Sequence, residues 1–185
     1  MFINKRGCTY MKSKIVALFL AVGLFVSATS ASAEDRLTAG YSFPAVSYLD
    51  GVWAAGVEKD FGKLGNVTVV GDAGFASRVG ADFADTTWTA GLGVQLPLSD
   101  RVLLKGGIAR AFVADVEDVD SLTVGLVYLG DAWRFAGDVV KVEGVDAVAV
   151  VTAERKILGN LALGVGSQFD TGEYFGTTLF AAYTF

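Results

Sequence analysis

Glu58 and Asp60 stand two residues apart in GVEKDFG, the pairing in this chain nearest to acid–base catalysis. Two carboxylates can divide the acid and nucleophile roles of glycoside hydrolysis. Serine triads and histidine-assisted attack by water both need an imidazole that titrates near neutral pH. The chain has no histidine. Its one cysteine, Cys8, falls in a leader expected to be removed, which leaves no thiol for a disulfide or a thiolate metal site. No cofactor, metal centre or enzymatic activity is therefore expected.

A second acidic group lies in VADVEDVD (113–120), which carries Asp115, Glu117, Asp118 and Asp120. Carboxylate oxygens suit divalent cations, but this spacing lacks the glycine turn and the closing glutamate of an EF-hand loop. A solvated outer loop is expected, with contact to the cations that bridge lipopolysaccharide as the alternative. Gly91-Leu92-Gly93 is no nucleotide loop, because it lies inside a strand pattern with no helix after it.

The elements that position these residues have a period of two. In TTWTAGLGVQLPL (86–98), Trp88, Ala90, Leu92, Val94, Leu96 and Leu98 share one face. Thr87, Thr89, Gly91, Gly93, Gln95 and Pro97 share the other. NLALGVGSQF (160–169) divides the same way, and such alternation is a strand. A soluble sheet turns large apolar residues inward and charge outward. Here the second face is mostly Gly, Ala, Thr and Ser with scattered charge. A membrane barrel, greasy outside and polar within, fits that distribution. Twenty-one of the 23 glycines lie after residue 33, and small inward side chains let a narrow barrel close.

Turn signals divide the chain into ten segments, near 37–48, 51–61, 66–79, 86–98, 101–113, 121–129, 132–143, 145–155, 160–169 and 173–185. The fold class is all-β: a single closed antiparallel up-and-down transmembrane barrel of ten strands, or of eight as the runner-up, with short loops. Asp50-Gly51 is the strongest hairpin signal, and LGN recurs at two turns (64–66 and 158–160). With an even strand number both termini share one side, the periplasmic one. Two belts of outward aromatics then emerge: Trp53, Phe75, Trp88, Phe112, Phe169 and Phe175 at the outer ends, and Phe61, Tyr128, Trp133, Tyr183 and Phe185 at the inner ends.

Ahead of these segments, Lys12 and Lys14 precede the apolar run IVALFLAVGLFV (15–26). Small residues at Ala31 and Ala33 follow, the pattern of a secretory signal peptide. The run is too short for a spanning helix. Residues 1–33 are read as an upstream extension with a cleaved signal peptide, and 34–185 as the barrel. The remaining 11 basic and 20 acidic residues leave a net charge of −9. That balance opposes binding to nucleic acid or electrostatic docking on anionic lipid.

The last residues, LFAAYTF (179–185), place Leu179, Ala181, Tyr183 and Phe185 on the lipid face of the closing strand. Tyr183 two positions before a terminal Phe185 resembles the C-terminal signal of bacterial outer-membrane β-barrel proteins. With the leader, alternation and length, the chain from 37 to 185 resembles the small OmpA-type or porin-like barrels. The resemblance implies an outer-membrane location and recognition of the closing strand by the barrel-assembly machinery, with membrane lipid and lipopolysaccharide as neighbours.

On this alignment Glu58, Asp60, Asp72, Arg78, Lys105, Arg134 and Asp138 all face a narrow lumen, where charges must pair or be hydrated. One reading is a structural plug of ion pairs. The other is a hydrated path whose lining sets solute preference. The expected function is a non-enzymatic barrel that passes small solutes or ions. The alternative is a structural or surface-interaction barrel without a conducting pore.

Overall fold

The structure is a computed structural model that describes residues 35–44, 51–78, 86–113, 118–143, 146–170 and 173–185. It contains ten strands: β1 (Arg36–Pro44), β2 (Val52–Leu64), β3 (Val67–Arg78), β4 (Thr87–Ser99), β5 (Val102–Val113), β6 (Val119–Leu129), β7 (Trp133–Val142), β8 (Val148–Leu158), β9 (Leu161–Asp170) and β10 (Glu173–Thr184). Each is antiparallel to its sequence neighbours, and β10 returns to pair with β1. The seam runs from Arg36↔Thr184 to Pro44↔Gly176, and the Phe185 amide donates to the Asp35 carbonyl at 3.0 Å. Closure removes the sheet edges that hydrocarbon would leave unsatisfied.

The two faces of the wall follow the alternation. On β7, Ala136, Asp138, Val140 and Val142 are buried inward, while Trp133, Phe135 and Val139 are exposed outward. Leu92, Ile108, Leu122, Val124, Leu126, Val151, Leu163 and Leu179 extend this exposed band over the other strands. A continuous aliphatic belt of this kind far exceeds the apolar patches of soluble monomers. Exposed aromatics border it on both sides. Trp53, Phe75, Trp88 and Phe112 lie at the end opposite the termini, with Phe75 and Trp88 5.6 Å apart. Phe61, Tyr128, Trp133, Phe135, Tyr183 and Phe185 lie at the terminal end. Phe175 is on β10, but its side chain is outside the described residues.

Connections differ by end. At the terminal end, LGN makes two-residue hairpins, with Leu64↔Val67 and Leu158↔Leu161 as the last pairs. Gly65 has φ +64° and Gly159 φ +51°, the positive values that twist-matched hairpin turns need. No described residue crowds either glycine. Gly65→Ala and Gly159→Ala should therefore each cost about 1–2 kcal/mol, through the left-handed backbone alone. The midpoint of urea unfolding in lipid would measure this.

The sequence reading placed some ends differently. The first strand stops at Pro44 rather than 48, since proline offers no N–H for a ladder. Seven residues (45–51) then join β1 to β2, so Asp50-Gly51 is not itself a two-residue hairpin turn; Asp50 lies outside the described residues. β2 and β8 each run three residues further than expected, up to the LGN turns. β2 also carries a bulge between Asp60 and Gly62. Phe61 is the extra residue, and its ring lies over Gly71, where a Cβ would stand 2.4 Å from it.

Candidate functional site: a charged layer across the lumen

Arg36 opens β1 with its side chain inward and only 2% exposed. By register it faces Glu58 on β2. Its guanidinium nevertheless reaches Glu154 on β8, three strands away around the wall, and makes an ion pair there. A side chain joining strands so far apart must cross the lumen. Arg134, next to Glu154 in the β7–β8 ladder, adds its Nη1 at 3.9 Å from Glu154 Oε2.

A second crossing lies beside the first. Lys105 Nζ on β5 stands 3.0 Å from Asp138 Oδ1 on β7, passing over β6. The residue between them on β6 is Gly125, paired with both Lys105 and Asp138. Gln95 on β4 completes the layer and donates from Nε2 to Glu58 Oε1 at 3.5 Å. Lys105, Asp138 and Glu58 are 5%, 3% and 4% exposed. Charges so deep persist only when paired and hydrogen-bonded, so the layer stands or falls together.

The remaining expected lumen charges lie apart from these pairs. Asp72 is inward and half-buried, opposite Glu58 on one side and Gly91 on the other. Asp60 sits at the terminal end and serves the bulge: its Oδ1 accepts from the Gly62 amide at 2.6 Å. Its own amide donates to Asp35 Oδ1 at 3.1 Å. Lys59 pairs with that same Asp35, and the two donors hold the Asp35 carboxyl below its ordinary range. Arg78 is exposed at the opposite end of the barrel.

Of the acidic loop, Asp115 and Glu117 lie outside the described residues, and Asp118 is exposed. Asp120 belongs to β6, not to a loop. It faces outward and accepts two bonds from Arg110 on β5, at 2.7 and 2.8 Å. Both partners are more than half exposed, so the pair adds little stability. Among the described residues no group of three potential ligands could hold a metal ion. Tyr183 and Phe185 face outward at the seam, their rings stacked with centroids 6.3 Å apart.

Sequence reasoning missed Arg36, Glu154 and Phe180. Arg36 was lost because the first strand was begun one residue late. Glu154 shares inward parity with Thr152, a signal that was present and unused. Phe180 breaks the rule that large apolar residues face lipid. It points inward, opposite Gly40 and Gly164, and is 5% exposed. A Cβ on Gly164 would lie 2.2 Å from its ring. Val52, Val70, Val127, Val140, Val148 and Val150 are also buried inward. The inward face is thus less uniformly small than the alternation had indicated, and its ion pairs between strands two or three apart lie in one layer.

No protein-family model matches the chain, and no curated protein matches it. Among solved structures, the KdgM porin is similar, with a TM-score of 0.56 at 11% identity over 81% of this chain and 99% of that one. A structure of KdgM porin in complex with disordered oligogalacturonate gives a TM-score of 0.55 at 10% identity, covering 82% and 99%. What the likeness shows is the fold, here ten antiparallel strands closed into a barrel.

Proposed function

We propose that the chain is a non-enzymatic channel of a bacterial outer membrane, passing small polar solutes or ions through a lumen narrowed by the charged layer. The observation that carries this reading is Arg36 crossing the lumen to Glu154, with Lys105 and Asp138 crossing beside it. Exchangeable ion pairs hold a constriction that is polar and can hydrate, which suits a filter. The exposed aliphatic belt between two aromatic girdles supports a membrane location. Tight turns at the terminal end and longer connections opposite support periplasmic termini. The outward Tyr183 and Phe185 are then open to the barrel-assembly machinery, and the belt to lipid and lipopolysaccharide.

The charge balance bears on the solute. Among the described inward residues that are buried or half-buried, Arg36, Lys105 and Arg134 meet Glu58, Asp60, Asp72, Asp138 and Glu154. Three cations against five anions give no net pull on an acidic saccharide such as the ligand of the KdgM complex. Neutral solutes and small cations fit this lumen better.

Refolded 34–185 should shift on gels after boiling and give discrete conductance steps in planar bilayers. A folded barrel silent over thousands of insertions would make the layer a plug and end the channel reading.

A further inference from the structure

Asp72 differs from the other deep carboxylates. Glu58 has the Gln95 amide, Asp138 has Lys105, and Glu154 has Arg36 and Arg134. Asp72 has no hydrogen-bond or ion-pair partner among the described residues. Its cross-strand neighbour on β2 is Glu58, another acid facing the same way. Like charges directly opposite one another destabilise a ladder unless something positive lies between or beside them. Lys105 lines the same space, but its ammonium is held 3.0 Å from Asp138.

The surroundings of Asp72 are shaped as a seat. Its other neighbour, on β4, is Gly91, where any Cβ would stand 2.6 Å from Asp72 Oδ1. Beside it is a cavity of about 50 Å³ with a mainly apolar lining, whose polar members include Asp72, Thr89, Gln95, Lys105, Ser121 and Thr123. That is room for a few water-sized species. Thr89 is 6% exposed, and its Oγ1 has no partner among the described residues. A buried hydroxyl without a partner is costly, so it marks a place where a ligand or water is due.

We infer that Asp72 and Thr89 Oγ1 form a binding site for a partly hydrated monovalent cation, such as K⁺ or Na⁺, in the lumen wall. One unpaired carboxylate and hydroxyl oxygens in a small cavity suit a single positive charge. Calcium would want six to eight oxygens, several of them carboxylate. The site's role in transport rests on the channel reading above: cations would dwell at Asp72 on their way past the charged layer. Its existence does not.

Two measurements separate the site from the channel. Crystals of the folded barrel grown in RbCl should show anomalous density within coordination distance of Asp72 Oδ1, absent in Asp72→Asn. Lack of that density in the unaltered protein overturns the site. In bilayers under a KCl gradient, the K⁺/Cl⁻ permeability ratio should fall several-fold in Asp72→Asn and less in Thr89→Val. An unchanged ratio through a clearly conducting Asp72→Asn barrel overturns the transport role. If no variant conducts, the channel reading fails, and the rubidium density alone decides whether a cation binds. Both substitutions keep side-chain shape, and the heat shift on gels reports that each variant has folded.

Discussion

Gly125→Ala should unfold the barrel at markedly lower urea than the unaltered chain. The new Cβ would stand 1.8 Å from Asp138 Oδ1 and 2.7 Å from the Gly137 carbonyl oxygen. The carbonyl belongs to the ladder and cannot retreat, so the Asp138 carboxylate must swing away from Lys105. Splitting a buried pair in this way costs about 3–5 kcal/mol, because both charges stay buried without their partner. The methyl itself, one carbon, is a minor part of that loss. Combining Gly125→Ala with Asp138→Ala and Lys105→Met tests the cause. With no carboxylate competing for the space and no charge to strand, most of the lost stability should return. If the triple variant is as weak as Gly125→Ala alone, the damage lies in the backbone and not in the pair.

Arg36→Met has the second large effect, with opposite signs in two readouts. Glu154 would keep only Arg134 at 3.9 Å, and Glu58 would lose the cation opposite it in the ladder. Stability should fall by roughly 3 kcal/mol, the lower end for a broken buried pair, since Arg134 can close in on Glu154. Glu154→Gln added to Arg36→Met should recover part of it. Single-channel conductance should instead rise, because the side chain that crosses the lumen is gone. A variant that loses stability while its conductance stays unchanged would remove Arg36 from the constriction.

The fold was legible because a barrel wall repeats one rule along every strand. Alternation between Trp88, Ala90, Leu92 and Val94 and their small partners placed β4 within a residue at each end. The LGN repeats located two hairpins, since a glycine followed by asparagine suits positive φ whatever surrounds it. The lumen was only partly legible. Parity states that Lys105 and Asp138 point inward. It does not state that they meet, because they sit on strands two apart and their contact depends on the curvature of the closed wall. Arg36 and Glu154 are separated by 118 positions in sequence, and no local pattern links them. Phe180 was not legible for a related reason: its room is made by Gly40 and Gly164 on neighbouring strands, not by anything in its own segment.

The seam between β1 and β10 is a ladder like the other nine, and Asp35 and Phe185 are already hydrogen-bonded across it. The position of the chain ends is therefore incidental to the closed wall. A short peptide could tie Asp35 to Phe185, and the chain could be reopened in the connection between β3 and β4 with every strand pair kept. Such a rewired barrel would carry its ends on the opposite side of the bilayer. It would also place Phe185 within a continuous chain, so that closure of the wall and the freedom of the chain ends become separable properties of one sequence.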